Sequence, residues 1–303
     1  MINSSTRVYG LLGFPVEHSL SPAVHNAGFC HHHLNACYVA FPARNTEEAI
    51  KSVRALSICG LSVTIPHKER AFLCVDETDE YAKISGCINT IKNDNGRLSG
   101  RNFDGAGAVH PLASRDKSWK EKNICIIGNG GAARGIALYM CGICGLKKLA
   151  FLARRTDRPG FPAEQLAGMG AEITTAPLAD AEAFISEKKI DIIINTTPMG
   201  MYPYIAASPL AEQCFTKNML VYDIIYNPEI TAMLRMARQR GAEIIGGTEM
   251  FINQAACQFE FWTAKSAPRK KMLQAFKKGL KILMKKNENT DGKNQIPGPG
   301  TGL

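Results

Sequence analysis

Two side chains carry the chemistry in this sequence, and both sit where a chain changes direction. Lys68 ends the stretch GLSVTIPHK (60–68), an apolar run stopped by Pro66, so the run predicts a strand with a lysine at its mouth. Asp104 lies in GRNFDGAG (100–107), a glycine-rich turn. A lysine beside a carboxylate in a cleft is a proton-transfer pair, because the pKa of a lysine responds strongly to burial and to neighbouring charge. One use for such a pair is the oxidation of a secondary alcohol: hydride leaves carbon, a proton leaves oxygen, and a positioned acid/base must handle that proton.

The hydride needs a carrier, and the segment NICIIGNGGAARGIAL supplies the place for one. A buried strand runs into Gly128, Asn129, Gly130, Gly131, Ala132 and Ala133 and then into a helix-forming stretch. Gly128 permits the tight turn, Gly130 lets backbone approach a pyrophosphate, and Ala133 permits close helix packing. Unpaired N–H groups at a helix start bind phosphate. The next strand, KLAFLA, ends in Arg154, Arg155 and Thr156, with Arg158 close by. Arginine at that point accommodates a 2′-phosphate and selects NADP, while Asp157 keeps NAD as the less favoured cofactor.

Elements must position these groups. Short apolar runs alternate with helical stretches, the pattern of an α/β protein with parallel sheets. RVYGLLG, ACYVAF, GLSVTI and CINTIKN read as strands before residue 105, and NICIIG, KLAFLA, AEITTA, IDIIINT and MLVYDII as strands after 120. A chain of 303 residues suggests about two domains. Composition is that of a soluble globular protein, with 45% apolar and 21% charged residues. No apolar run nears the ~20 residues of a membrane helix, and the N-terminus lacks the layout of a signal peptide, so a cytoplasmic enzyme is expected. The ten cysteines are spread through apolar segments and read as reduced thiols rather than a disulfide framework.

Charge is unevenly placed. The formal net charge is +9, yet from Lys265 onward ten Lys and Arg stand against two acids, a net of +8, so the preceding body is nearly neutral. This asymmetry weakens any nucleic-acid reading of the body. RKKMLQAFKKGLKILMKK (269–286) spaces Met272, Phe276, Leu280 and Leu283 as one helical face, with lysines on the other side. A last helix packed on the body is expected, followed by a tail without hydrophobic period over 287–303. His31, His32 and His33 point in different directions if helical and do not converge on a metal. Cys141 and Cys144 have redox spacing, but on the helix after the glycine loop they read as core.

Eight segments occur in one order: GFPVEHSLSPAVHN (13–26), GLSVTIPHK (60–68), GCINTI (86–91), GRNFDGAG (100–107), GNGGAAR (128–134), NTTPMGM (195–201), VYDIIYNP (221–228) and GTEMFINQAACQFEFW (247–262). Over about residues 7–268 the chain resembles the shikimate dehydrogenase family. The resemblance implies NADP-dependent, reversible reduction of 3-dehydroshikimate to shikimate in aromatic amino-acid biosynthesis. It implies Lys68 and Asp104 as the catalytic pair, and Ser19, Ser21, Thr64, Asn89, Tyr226 and Gln254 as further substrate contacts. On the cofactor side it implies the 128–133 loop, Arg154 to Thr156, Ile224, Gly247 and Glu80. The residue types agree: a small polyhydroxylated carboxylate is best held by hydroxyls and amides.

The implied fold has two α/β domains: a substrate domain (1–108) and a Rossmann-like cofactor domain (109–246), with C-terminal helices (247–286) returning to the first and a tail (287–303). The expected partner is a small molecule, with neither nucleic acid nor membrane, for a monomer or homodimer. A quinate/shikimate dehydrogenase using NAD or NADP is the nearest alternative. A non-catalytic nucleotide sensor with a polyanion-binding tail is the remoter one, and the intact Lys68 and Asp104 argue against it. Ser19 and Asn89 also have purely structural readings, as a helix start and a turn cap. Three departures stand out: Phe103 replaces a threonine common in the family, ARRT replaces Asn-Arg-Thr, and Asn129 replaces a frequent alanine.

Overall fold

The computed structural model describes residues 2–156 and 163–291. Asp157, Arg158 and the tail beyond Asp291 lie outside the described residues.

The first half folds as β1 (Arg7–Gly13), α1 (Ser21–His31), β2 (Ala36–Pro42), α2 (Thr46–Ala55), β3 (Gly60–Val63), α3 (Lys68–Phe72), β4 (Glu77–Thr78), α4 (Glu80–Ser85), β5 (Thr90–Asp94) and β6 (Arg97–Arg101). Its strands form a six-stranded sheet in the order β2-β1-β3-β5-β6-β4. The sheet is mixed, not parallel as the alternating pattern predicts: β5 runs antiparallel to both β3 and β6. The cause is local. Asn95 and Gly96 both take positive φ, 53° and 92°, which is the left-handed pair that a two-residue hairpin turn requires. No crossover helix is then needed between β5 and β6. The short β4 and the β6 strand have no apolar run to announce them.

α5 (Asp104–Arg115) carries the chain to the second sheet. There follow β7 (Ile124–Ile127), α6 (Gly131–Leu138), β8 (Lys148–Ala153), α7 (Ala163–Gly168), β9 (Glu172–Pro177), α8 (Ala181–Glu187), β10 (Ile192–Asn195), β11 (Leu220–Asp223), α9 (Ala232–Gln239) and β12 (Glu243–Ile245). These strands are parallel throughout, in the order β12-β11-β10-β7-β8-β9. β7 and β10 are buried along their whole length, as expected of central strands covered on both faces. Two apolar clusters result, one on each face, built around Ile126 and Phe151 and around Ile127 and Val221.

α10 (Gly247–Thr263) and α11 (Arg269–Asp291) return to the first sheet. Phe259 and Trp262 of α10 join Met272, Phe276 and Leu280 of α11 in a cluster with Tyr9, Val24 and Phe29. Each fully buried ring contributes about 1.5–3 kcal/mol by leaving water. The buried stripe on α11 is the one its spacing predicts, and the helix continues to Asp291, past residue 286 where the charge pattern places its end. Cys141 is buried and Cys144 half-buried at a π-turn (Tyr139–Ile143) after α6, with burial pushing the Cys141 thiol up to about 11. His32 is bound through Nε2 to the Ser266 carbonyl at 2.8 Å, and its ring stacks on Phe259.

Candidate active site

Strand direction brings the chemistry to one edge of each sheet. In the first, the segments after β1, β3 and β6 and the segment before the antiparallel β5 all emerge on the same side. They carry Ser19 and Ser21, Thr64 and Lys68, Asp104, and Asn89 respectively. In the second sheet, the segments after β7, β8, β10 and β11 emerge at the carboxyl edge, where open α/β sheets bind ligands. A cavity of about 650 Å³ runs between the two edges, lined by Lys68, Asp104, Asn102, Gly130, Arg134 and Met250, among others.

Lys68 is the first residue of α3 and Asp104 the first of α5. Lys68 Nζ donates to Asp104 Oδ2 at 2.5 Å, with the two side chains 29% and 28% exposed. Burial opposes the charge on Lys68, but the Asp104 carboxylate and its hydrogen bond outweigh burial and raise the ammonium's pKa above its ordinary value. The carboxylate is held on its other oxygen by Asn89 Nδ2, which donates to Oδ1 at 2.9 Å and reaches Gln254 Oε1 at 3.4 Å. The position of Asp104 at a helix start also favours a carboxylate there.

Neighbouring groups fix the backbone of the pair. Asn102 Oδ1 accepts from the Asp104 N–H at 3.0 Å, and the Ile88 N–H donates to the Lys68 carbonyl at 3.1 Å. His67 turns away from the cleft: its Nε2 donates to the Ala43 carbonyl at 2.8 Å, leaving Nδ1 to accept from the Thr46 hydroxyl at 2.7 Å. It braces the entry to α3, while Lys68 lines the cavity.

The other expected substrate contacts differ in placement. Thr64 follows β3 directly, with its N–H on the Leu12 carbonyl. Ser19 Oγ accepts from the Ser21 N–H at 3.2 Å and so starts α1, while Ser21 is buried. Tyr226 packs edge-on against Phe251 and Phe276, which also touch each other, and burial raises its phenol pKa. The Phe103 ring turns to Phe261, whose other face meets Arg101. Phe103 is not among the described residues that line the cavity; its ring packs on Phe261 instead.

At the facing edge, Gly128 has φ +105°, and a Cβ there would lie 2.8 Å from Thr196 Oγ1. Only glycine takes this turn without strain. Gly130, Gly131 and Ala132 line the cavity, and the space around the Gly131 Cα is open. Ala133 is fully buried against the sheet. Asn129 is more than tolerated: its Nδ2 donates to the Arg155 carbonyl at 2.7 Å and ties the glycine loop to the exposed turn of Arg154, Arg155 and Thr156. Gly247 starts α10 so close to the Ile224 carbonyl that a Cβ would stand 2.1 Å from that oxygen. Glu80 is exposed on α4, one residue before Tyr81, whose ring lines the cavity and whose hydroxyl donates to the Gly135 carbonyl at 2.7 Å.

The cavity is also lined by Asn102 and Met250, which lie within the ordered segments 100–107 and 247–262 without an expected role of their own. Arg134 does have a signal, since it directly follows the glycine loop of 128–133. Its Nε is buried without a hydrogen-bond partner while its side chain lines the cavity. An orphaned cationic donor beside open backbone N–H groups fits a bound polyphosphate. Behind the loop, Asp223 takes hydrogen bonds from Asn195, Thr231 and the Ile225 N–H, and burial pushes its carboxyl up to about 6.

Comparison with known proteins bears on the same residues. A family model described as the shikimate dehydrogenase substrate binding domain matches residues 11–91, and one described as the shikimate 5′-dehydrogenase C-terminal domain matches 247–275. Curated relatives named shikimate dehydrogenase (NADP(+)) include one from Geobacillus kaustophilus, 42% identical over 86% of this chain and 93% of its own. Another, from Symbiobacterium thermophilum, is 38% identical over 86% of this chain and 90% of its own. Among solved structures, a shikimate dehydrogenase in complex with NADP+ superimposes with a TM-score of 0.83 at 36% identity, covering 92% of this chain and 98% of that one. The Thermus thermophilus shikimate 5-dehydrogenase in complex with NADP(H) and shikimate gives 0.79 at 28% identity, covering 90% and 100%.

Proposed function

Because the chain belongs to the shikimate dehydrogenase family, we propose that it reduces 3-dehydroshikimate to shikimate with NADPH, reversibly, in the synthesis of aromatic amino acids. One observation carries the mechanism: a lysine and a carboxylate in contact at 2.5 Å, opening into a cavity that runs to the glycine loop. NADPH supplies the hydride that adds to the carbonyl carbon. Lys68 Nζ gives its proton to the carbonyl oxygen as that oxygen gains charge, and is reprotonated from solvent. Its raised pKa keeps it charged at neutral pH, which suits the reductive direction. In the oxidative direction Lys68 must first lose that proton, so the rate rises with pH.

Asp104 holds the ammonium in place and accepts from a substrate hydroxyl. Asn89 and Gln254 donate and accept at the ring hydroxyls, Thr64 and Tyr226 close the pocket, and Ser19 and Ser21 take the substrate carboxylate. The loop from Gly128 to Ala133 together with Arg134 holds the pyrophosphate. Arg154 to Thr156 would hold the 2′-phosphate, and Ile224, Gly247 and Glu80 would supply further cofactor contacts. We divide the chain into a substrate domain (1–108), a cofactor domain (109–246) and returning helices (247–286), working in the cytoplasm as a monomer or homodimer. Among the described residues no helix is long and apolar enough to cross a membrane.

The test is a comparison of wild type with Lys68→Ala, using shikimate and quinate, each with NADP+ and NAD+. The proposal expects shikimate with NADP+ to be the best pair, and the variant to lose about 10²–10⁴-fold in kcat while still binding shikimate. Wild type inert with all four pairs, or Lys68→Ala turning over at the wild-type rate, sinks it.

A further inference from the structure

Asn89 must face the site with its NH2 group, and the structure contains a buried device that leaves it no alternative. Two backbone groups anchor the device. The Phe103 N–H lies 3.0 Å from one carboxamide atom of Asn89; a backbone N–H only donates, so that atom is Oδ1. The Asn89 carbonyl lies 3.2 Å from one carboxamide atom of Gln258; a carbonyl only accepts, so that atom is Nε2.

All other directions follow. Thr90 Oγ1 lies 2.7 Å from Asn89 Oδ1, and an oxygen that only accepts must receive the hydroxyl proton. Thr90 has no second proton, so Gln258 Nε2, at 3.0 Å, donates to it. Gln258 Oε1 then faces Ser62 Oγ at 2.9 Å and accepts from it. Ser62, Gln258, Thr90 and Asn89 are all 5% exposed or less, so water does not compete for these groups. The series runs one way, Ser62 to Gln258 to Thr90 to Asn89, and ends with Asn89 Nδ2 donating to the Asp104 carboxylate.

We infer that Thr90 and Gln258 are positioning residues for the reaction: with the Phe103 N–H they hold the Asn89 carboxamide in the one orientation that turns its NH2 group to Asp104 and the substrate. A reversed Asn89 would set an oxygen against the carboxylate and release Asp104 from one of its two partners. The inference rests on the reaction proposed above, and it accounts for a glutamine buried on α10 one turn beyond Gln254. Packing alone does not call for a carboxamide there, because an unpaired buried polar group is costly.

The experiment compares Thr90→Val, which keeps the shape and removes the hydroxyl, with Thr90→Ser, which keeps the hydroxyl. Expected is a fall of about 10-fold in kcat/KM for shikimate in Thr90→Val, mostly recovered in Thr90→Ser, with NADP+ affinity the same in both. Equal rates in the two variants, or NADP+ affinity falling in step with the rate, overturn the inference. Gln258→Glu gives a second reading: the ionised carboxylate cannot donate to Thr90, so its activity relative to wild type falls as pH rises, and a flat ratio counts against the device. The side-chain amide of Asn89 in nitrogen-15 spectra reports without turnover. Protection from solvent exchange is expected in wild type and Thr90→Ser and reduced in Thr90→Val. A wild type inert toward shikimate that keeps this difference refutes the reaction and leaves the orienting device standing; loss of the difference refutes the device.

Discussion

The two edges that face each other across the cavity are built on opposite principles. On the mixed sheet the working groups are side chains, and each is held by another: Lys68 by Asp104, Asp104 by Asn89, Asn89 by Thr90. On the parallel sheet the proposed contacts are chiefly backbone N–H groups, with Arg134 and the turn of Arg154 to Thr156 beside them, and the absence of a side chain matters at Gly128 and Gly247. The difference follows from what each edge meets. A polyphosphate carries dense charge that any free amide at a helix start can bind. A small ring with several hydroxyls must be told from close analogues, and paired hydroxyls and amides do that by leaving partners unsatisfied when the wrong ring enters.

If the side-chain edge works as a set, removing one charge should change how its neighbour titrates. Asp104→Asn takes away the group that raises the Lys68 pKa and leaves burial, which lowers it. The rising limb of the oxidative pH profile is therefore expected to move to lower pH, while the maximal rate falls by about 10²-fold or more. Rates of shikimate oxidation between neutral and alkaline pH check this. A lower rate with an unmoved profile would mean that Asp104 only binds substrate.

The backbone edge should break differently. Gly128→Ala puts a methyl group into a positive-φ turn and within 2.8 Å of Thr196 Oγ1. A strained non-glycine turn costs about 1–3 kcal/mol, and NADP+ affinity is expected to fall about 10-fold or more as the loop shifts. Shikimate affinity, read by calorimetry without nucleotide, is expected to stay within about twofold, since no group on the first sheet's edge depends on this loop. A parallel loss of shikimate affinity would dissolve the distinction between the two edges.

This contrast also decides what was legible in the chain. Glycines and a strand-to-helix switch are local signals, so the loop at 128–133 reads directly, as do the apolar runs of β7, β8 and β10. Side-chain constellations are assembled from distant segments. Lys68 and Asp104 stand 36 positions apart, and spacing alone does not join them; the ordered motifs shared with a family do. β4 and β6 were hidden because short, half-polar strands carry little periodicity, whereas the Asn95-Gly96 pair between β5 and β6 is a hairpin signal legible in the sequence. Gln258 gives no signal, since a glutamine on an amphipathic helix ordinarily reads as a surface residue. Its burial follows only from the packing of α10 over β3 and β5.

Asn129 is the exception on the backbone edge, and its substitution draws the finest line between the two designs. Its side chain lines the cavity and donates to the Arg155 carbonyl, holding the turn that carries Arg154, Arg155 and Thr156. A single hydrogen bond of this kind is worth about 0.5–1.5 kcal/mol, so Asn129→Ala should weaken NADP+ binding by about 2- to 10-fold. NAD+ lacks the 2′-phosphate that this turn is placed to meet, so its affinity should change less. Titration of each nucleotide against wild type and variant measures both. A loss confined to NADP+ makes Asn129 a support for the arginine turn, which is how a side chain serves an edge made chiefly of backbone. An equal loss for both nucleotides would instead put its amide on the shared pyrophosphate, and Asn129 would then join Arg134 as a side chain that binds there directly.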